Sequence, residues 1–313
     1  MTENIAFVFP GQGSQEVGMG RALVESYPAA GEIFRQADEI LDFGLSRLCF
    51  EGPEADLNDT INTQAALFTT SIAALEALKA AGYAVKPAFV AGHSLGEFSA
   101  YVAAGVMTFE AGLRLVRERG RLMKKAGELN PGGMAAILKL DDEVVAKLCQ
   151  DVSAEGNGLL QVANYNSPGQ IVISGHNAAV ERGIALATAA GARRAVKLPV
   201  SIAAHSELMR VIADEFRTAI NQTPLNLPEI PIVANITAAP LDSLQAIRAE
   251  MEGQLTASVR WTDSVLWMVK HGVTRFIEIG SKDVLAGLIK RISKDVAVQT
   301  VGKPDDIAAL LTV

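Results

Sequence analysis

Apolar residues recur along the chain in two patterns that alternate from its beginning to its end. Short apolar runs bounded by polar or glycine residues are typical of buried strands. Between these runs, apolar positions with helical spacing predict helices, the longest over residues 63–81 and 108–125. Strands that alternate with helices indicate a mainly parallel sheet with helices on both faces. The apolar runs lie at residues 4–10, 88–92, 230–234, 275–279 and 296–300.

The middle of the chain shows a different order of elements, beginning near an Asn-Pro-Gly-Gly segment at residues 130–133. Predicted strands and helices there follow the order β-α-β-β-α-β, which is that of a ferredoxin-like unit. Such a unit fits as an insertion between two parts of a larger domain. We therefore predict an α/β protein with one large domain, residues 1–128 and 200–313, and an inserted ferredoxin-like βαββαβ subdomain, residues 129–199.

A serine flanked by two glycines follows the second apolar run, in the segment GHSLG at residues 92–96. This segment fits the G-x-S-x-G nucleophile elbow, in which small flanking residues let a strand and a helix approach and expose the serine hydroxyl. Backbone N–H groups at the start of the next helix then face the position of an oxyanion. Ser94 and Glu97 also fit a helix-capping box, although a cap does not require both glycines. The sequence therefore predicts a nucleophilic Ser94 in a large α/β-hydrolase-like domain.

A serine nucleophile needs a base. The position of each of the four histidines in the sequence indicates whether it can act as that base. His93 adjoins Ser94 within the elbow, so its side chain should point away from the serine. His176 follows a strand of the inserted unit and is expected in a turn, and His271 lies at a helix end. His205 lies in the loop after the inserted unit, where it can reach the mouth of the site. The alternative for His205 is a surface position that caps the helix predicted over about residues 205–219.

The composition excludes several classes of protein. Of the 313 residues, 49% are hydrophobic and 20% charged, with a formal net charge of −7 and no long basic run, which argues against nucleic acid as a partner. No apolar run reaches membrane-spanning length and residues 1–10 lack signal-peptide features, so we expect a cytoplasmic protein with no membrane partner. Cys49 and Cys149 are expected to be buried free thiols, and four histidines without paired spacing argue against a metal site.

Helical spacing also selects one arginine from the basic helix at 108–125. Leu115, Arg119 and Leu122 recur at three to four residues and share a face, whereas the other arginines of this helix lie elsewhere around it. An arginine on an apolar face needs an anionic partner, so Arg119 is a candidate for binding a carboxylate. The alternative is that Arg119 is one of several arginines on a solvated face.

Five motifs, in this order and at comparable spacing, resemble those of the malonyl-CoA:acyl-carrier-protein transacylases, and the resemblance covers essentially the whole chain. The motifs are FPGQGSQ at residues 9–15, GHSLGE at 92–97, Arg119-Gly120, NYNSPGQ at 164–170 and HSELM at 205–209.

The resemblance implies a ping-pong mechanism without a cofactor. Ser94 takes a malonyl group from malonyl-CoA and passes it to the phosphopantetheine thiol of acyl carrier protein, for fatty-acid or polyketide synthesis. Because no carboxylate is an obvious third member, a dyad is expected rather than a triad. The implied roles are His205 as base and acid, the backbone N–H groups of Gln12 and Leu95 as the oxyanion hole, Arg119 as the partner of the malonyl carboxylate, the Gln254 main-chain carbonyl as the group that orients His205, and Asn164 and Asn166 as pocket-lining residues.

Several alternatives stay open at this point. Ala203 and Ala204 precede His205 where relatives often have proline or a bulkier residue, which leaves room for a broader range of extender units such as methylmalonyl. Leu95 favours malonyl by resemblance. A serine esterase shares the elbow, and a carrier-binding scaffold without catalysis is a further alternative. The loop at residues 11–15 does not complete a G-x-G-x-x-G motif, which weakens a nucleotide-binding interpretation. The candidate residues for docking an acidic carrier are Lys124, Lys125, Lys282, Lys290 and Arg291.

Overall fold

The computed structural model describes residues 4–156 and 158–312. The strands in these residues are β1 (Asn4–Phe9), β2 (Phe89–Gly92), β3 (Gly132–Leu138), β4 (Leu160–Ser167), β5 (Gln170–His176), β6 (Arg194–Lys197), β7 (Ile232–Val233), β8 (Pro240–Leu241), β9 (Val273–Ile279) and β10 (Ala297–Val301). The helices are α1 (Arg21–Ser26), α2 (Pro28–Leu41), α3 (Leu45–Glu51), α4 (Glu54–Leu57), α5 (Thr60–Ala80), α6 (Gly96–Ala103), α7 (Phe109–Leu129), α8 (Asp142–Ala154), α9 (Asn177–Ala189), α10 (Ala213–Gln222), α11 (Leu244–Gly253), α12 (Trp261–Lys270), α13 (Val284–Ile292) and α14 (Pro304–Leu311).

Six strands form the larger sheet, in the order β10-β9-β1-β2-β7-β8. All neighbouring pairs are parallel except β7 and β8. The central strand β1 buries both of its faces: Phe7 and Phe9 belong to one apolar cluster, whereas Ala6 and Val8 belong to another on the opposite side. The predicted mainly parallel sheet with helices on both faces is confirmed. The carboxyl ends of β1 and β2 are aligned, with Phe9 paired to Gly92, so the loops after both strands meet at one edge.

A second, four-stranded sheet has the order β4-β5-β3-β6, with every neighbouring pair antiparallel. Helices α8 and α9 pack against it and share with it a separate apolar core. The predicted ferredoxin-like order of elements is confirmed. The boundaries at residues 129 and 199 stay a prediction, and the sheet itself runs from Gly132 to Lys197.

The structure departs from the sequence pattern mainly at short elements. A single helix over 205–219 is wrong, because Glu207–Ile212 forms a 3₁₀ turn before α10 begins. The pattern also missed α3, α4, α14 and β8, which are two to eight residues long and contain few apolar positions from which a period can be recognised. Cys49 and Cys149 are buried free thiols, as expected, and burial raises the pKa of each to about 12. Within the described residues, no helix is long and apolar enough to cross a membrane.

Candidate active site

Ser94 lies at a tight turn between β2 and α6, with a left-handed backbone conformation (φ 51°). The glycines on either side are required by space. A Cβ on Gly92 would lie 2.0 Å from the carbonyl carbon of Gly96, and a Cβ on Gly96 would lie 2.0 Å from the carbonyl oxygen of Phe9. Only glycine therefore lets β1, β2 and α6 approach this closely, which is the geometry of a nucleophile elbow.

Ser94 and His205 form a hydrogen-bonded pair. The hydroxyl oxygen of Ser94 lies 2.8 Å from Nε2 of His205, while Nδ1 of His205 lies 2.8 Å from the carbonyl oxygen of Gln254. Because a carbonyl can only accept a hydrogen bond, Nδ1 carries the proton and Nε2 is free to take the serine proton. Burial and the charge of Arg119 lower the pKa of His205 to about 3, so the imidazole is neutral at physiological pH. No carboxylate of the described chain bonds to His205, which leaves a dyad.

Arg119 is fully buried beside this dyad. Its Nη1 donates to the amide oxygen of Gln64 at 2.7 Å, and its Nη2 donates to the amide oxygen of Gln254 at 2.7 Å and to the hydroxyl oxygen of Ser94 at 3.1 Å. The guanidinium also lies 5.4 Å from the centre of the Phe98 ring. Its Nε has no hydrogen-bond partner, and no carboxylate of the described residues forms an ion pair with it. Arg119 is thus a buried cation held by neutral groups.

Two backbone N–H groups near the elbow make no hydrogen bond. In the described part of the chain, the N–H groups of Gln12 and of Leu95, which directly follows Ser94, donate to no acceptor. The loop that carries Gln12 packs tightly on the elbow, since a Cβ on Gly11 would lie 2.3 Å from the carbonyl oxygen of His93. These groups can therefore receive an oxyanion next to Ser94 without breaking an existing hydrogen bond.

Asn235, which follows β7, holds the elbow together and was not foreseen. Its side-chain oxygen accepts the N–H of Ser94 at 2.7 Å, and its side-chain nitrogen donates to the carbonyl oxygen of Gly92 at 2.7 Å. The capping-box interpretation is wrong, because the carboxylate of Glu97 bonds to Asn235 and Gln254 instead of to Ser94. A usable signal was present, since Asn235 directly follows an apolar run whose carboxyl end lies at the edge where parallel sheets place their sites.

The other predicted residues lie around this centre. Asn166 contacts His93, with 2.8 Å between its side-chain oxygen and Nε2 of the histidine. His93 packs edge-on against Trp261 and is turned away from the serine, as its position in the elbow predicts. The side chain of Asn164 is buried and makes no hydrogen bond within the described residues. The structure therefore connects Asn166 to the elbow through His93, and it connects neither asparagine directly to the dyad.

The remaining histidines lie outside the site. Nδ1 of His176 accepts the N–H of Leu159 at 2.9 Å, and His271 stacks on Trp267 at the end of α12. Across the residues that the structure describes, no group of three or more histidine, cysteine, aspartate or glutamate side chains could hold a metal ion.

A serine at an elbow, a histidine oriented by a carbonyl, and a buried arginine beside the nucleophile define an acyl-transfer enzyme of the α/β class. The family model of the acyl transferase domain matches residues 6–304. Malonyl CoA-acyl carrier protein transacylase from Bacillus subtilis (strain 168) is 44% identical over 303 residues, which is 97% of this chain and 95% of that protein. The protein of the same name from Escherichia coli (strain K12) is 44% identical over 306 residues, 98% of each chain.

Solved structures agree with these relatives. The malonyl CoA-acyl carrier protein transacylase from Coxiella burnetii superposes with a TM-score of 0.96 at 35% identity, covering 99% of this chain and 97% of that one. A malonyl-transacylase in complex with its type II PKS acyl-carrier protein superposes with a TM-score of 0.96 at 39% identity, covering 99% of each chain. The chain belongs to the malonyl CoA-acyl carrier protein transacylase family.

Proposed function

We propose that this protein moves a malonyl group from malonyl-CoA to the phosphopantetheine thiol of acyl carrier protein. The observation that carries the proposal is the buried, positively charged Arg119, which has no carboxylate partner and donates to the nucleophile. A buried charge without a partner is costly, so the site favours an acyl group that brings its own negative charge. Malonyl differs from acetyl by such a carboxylate. The names of the relatives support the same substrate and carrier.

The first half-reaction acylates the enzyme. Ser94 Oγ attacks the thioester carbonyl of malonyl-CoA while its proton passes to Nε2 of His205. The N–H groups of Gln12 and Leu95 stabilise the negative charge on the carbonyl oxygen. The intermediate then collapses, the carbon–sulfur bond breaks, and His205 returns the proton to the departing coenzyme A thiolate. The product is a malonyl ester of Ser94.

The second half-reaction runs these steps in the opposite direction with a new thiol. His205 Nε2 accepts the proton of the phosphopantetheine thiol, and the thiolate attacks the malonyl ester. Ser94 Oγ leaves with the proton held by His205, which restores the resting dyad. Throughout both half-reactions, the Gln254 carbonyl keeps the proton on Nδ1, so Nε2 is the nitrogen that accepts and returns the transferred proton each time.

Arg119 sets the acyl specificity in this proposal. Its Nη2 already lies within hydrogen-bond distance of Ser94, so a carboxylate at the far end of a malonyl ester can reach the guanidinium. Such a charge-assisted contact is bidentate and geometrically selective. A serine esterase has no need of this buried cation, and it would release more free acid than transferred product.

The range of extender units depends on the space beside Ser94. The methyl group of Ala203 packs against β3, since a Cβ on Gly132 would lie 2.7 Å from it. The small size of this residue therefore serves its contact with β3. We expect malonyl to be the main acyl group, with methylmalonyl as the alternative.

Intact mass measurement tests the proposal. Incubation with malonyl-CoA and no carrier should add one malonyl group to the protein, whereas acetyl-CoA and methylmalonyl-CoA should label it less. Addition of acyl carrier protein should then move the group to the carrier faster than it is hydrolysed, and hydrolysis that exceeds transfer would support the esterase. The proposal calls for no cofactor and keeps the predicted cytoplasmic location, which cell fractionation would test.

A further inference from the structure

Two glutamates lie buried beneath the elbow, and the steps above use neither of them. Glu97 in the first turn of α6 has no exposed surface, and Glu250 on α11 is 4% exposed. The two carboxyl groups accept the backbone N–H groups of consecutive residues, Asn235 for Glu97 and Ile236 for Glu250, so they lie side by side. Adjacent like charges in a buried site cannot both persist, so a proton shared between the two groups is the arrangement that this geometry favours.

The surroundings of this pair favour one negative charge as well. Glu97 accepts hydrogen bonds from the backbone N–H and the side-chain nitrogen of Asn235 and from the side-chain nitrogen of Gln254. Glu250 accepts the N–H of Ile236 at 2.8 Å. Donors that converge on a carboxyl group stabilise its ionised form. The surroundings therefore favour a pair that carries one proton and one negative charge.

Two other ionisable side chains, Arg119 and Tyr101, face the pair. Arg119 on α7 contributes a favourable positive charge, and the phenol of Tyr101 lies one turn after Glu97 on α6. Burial raises the pKa of both glutamates, that of Glu250 to about 7. The amide of Gln254 lies between Arg119 and Glu97 and bonds to both, so the guanidinium forms no ion pair with either glutamate.

Gln254 connects this pair to the dyad. Its side-chain nitrogen donates to Oε2 of Glu97, and this contact fixes the amide so that its oxygen faces Arg119 at 2.7 Å. Its backbone carbonyl accepts the Nδ1 proton of His205. Glu250 lies one helical turn before Gln254, whose N–H donates to the Glu250 carbonyl at 2.9 Å. The pair and the residue that orients the dyad are thus parts of one rigid unit.

We propose that Glu97 and Glu250 share a single proton, and that this singly charged pair positions Gln254, and through it Arg119, for acyl transfer. The two glutamates are positioning residues, since neither touches the reacting atoms. Loss of the shared proton would leave two adjacent negative charges, which would push α6 and α11 apart and move the carbonyl that orients His205. The effect on rate rests on the proposed function, whereas the shared proton is a property of the unreacted protein.

Infrared spectroscopy of the unreacted protein tests the shared proton directly. The measurement is made in a Glu278→Gln background, because Glu278 is also buried with a raised pKa and would add a band of its own. In that background we expect the absorption of a protonated carboxyl group at neutral pH, and we expect Glu97→Gln and Glu250→Gln each to remove it. In Glu250→Gln the new amide places an N–H where the proton was, so Glu97 stays ionised. A band that persists in either variant would assign the proton to one isolated carboxyl group and overturn the proposal. This measurement keeps its meaning even if the parent protein transfers no malonyl group.

The pH dependence of malonylation tests the positioning role. In Glu250→Gln the N–H cannot be lost, so the fall in acylation rate at alkaline pH should move up by at least about one pH unit. Glu97→Gln should slow acylation at least about tenfold. The NH₂ group of the new amide can face the NH₂ group of Gln254, so the hydrogen bond that positions Gln254 is lost. Glu278→Gln is the matched control, since Glu278 is equally buried but bonds only to the start of α13. Equal pH profiles in all three variants and the parent would overturn the proposal.

Discussion

Arg119 donates a hydrogen bond from Nη2 to the hydroxyl oxygen of Ser94, at 3.1 Å, from a position that is fully buried. A cation so close to Ser94 has two electrostatic consequences. It disfavours protonation of the neighbouring His205, and under the proposed function it attracts a negatively charged acyl group. The same side chain therefore links substrate choice to the readiness of the base, and each link can be tested separately.

Arg119→Ala should harm malonyl transfer more than acetyl transfer. A charged hydrogen bond is worth roughly 1.5–3 kcal/mol, so kcat/KM for malonyl-CoA should fall at least about tenfold, while acetyl-CoA, which has no carboxylate, should lose less. The measurement is the ratio of the two kcat/KM values in parent and variant. Arg117→Ala is the control, since Arg117 lies on the same helix but bonds to Ile61 and Asn62 at the surface side of α7. An equal fall for both substrates would make Arg119 structural.

The pH–rate profile of acylation should show no acid limb near the ordinary pKa of histidine. The pKa of His205 is lowered to about 3 by burial and by Arg119, so the imidazole stays neutral and able to accept a proton as the pH falls through 6.5. The rate of single-turnover acylation should therefore stay level down to well below that pH. Arg119→Ala removes a positive neighbour and should move the acid limb upward. An acid limb near 6.5 in the parent would contradict this prediction.

Substitution of Ser94 should abolish the covalent adduct, whereas substitution of His205 should slow its formation. Ser94→Ala should form no malonyl adduct by intact mass, because no other hydroxyl bonds to His205 in the described residues. His205→Ala should acylate more slowly by about 10²–10⁴, the usual effect of a positioned general base. Circular dichroism should show both variants folded. A stable adduct on Ser94→Ala, or a His205→Ala rate within a few-fold of the parent, would contradict the assignment.

Sequence patterns predicted the parts of the site that depend on local structure. Ser94 follows from glycines at fixed positions, and the inward direction of Arg119 follows from helical spacing. The partners of these residues could not be predicted in this way. Glu97 fits a local cap, yet its acceptor sites are filled by Asn235 and Gln254, which are far away in the chain and reach it only through the packed fold. Contacts of this kind depend on tertiary packing, which a periodic pattern does not encode.

The contribution of Glu278 to stability should fall as the pH rises through the mildly acidic range. Burial raises the pKa of Glu278 to about 7, above its ordinary value, although it accepts the N–H groups of Leu285 and Ala286. At this residue the folded protein binds more protons than the unfolded chain between about pH 4.5 and 7, so its contribution to the free energy of unfolding decreases over that interval. One such proton contributes about 1.4 kcal/mol per pH unit. The difference in unfolding free energy between the parent and Glu278→Gln, measured by urea denaturation at several pH values, should show this slope. A difference that stays constant with pH would contradict the prediction.

Docking of the acidic carrier depends on basic side chains that are free of other partners. Three of the five candidates from the sequence are already engaged: Lys124 pairs with Asp59, Lys125 pairs with Glu215, and Lys282 donates to a backbone carbonyl. In the described chain no carboxylate pairs with Lys290 or Arg291 at the end of α13, and Arg291 donates one hydrogen bond to the side-chain oxygen of Gln170. Arg291 also lines a groove of about 330 Å³ between α13 and the second sheet, together with Lys139, Arg193 and Arg194.

This groove predicts how transfer to the carrier responds to charge and salt. Within the described residues none of its four cations forms an ion pair, in a protein whose net charge is −7, so the positive potential there is local. Arg194→Glu and Arg291→Glu should each slow transfer to acyl carrier protein and reduce its dependence on ionic strength, because steering acts on the charged encounter. Transfer to free pantetheine should hardly change. Arg182→Glu is the control on the same subdomain, since Arg182 is already neutralised by Glu155. If the carrier and pantetheine reactions lose rate in equal proportion, the groove does not dock the carrier and the charge changes act on the site itself.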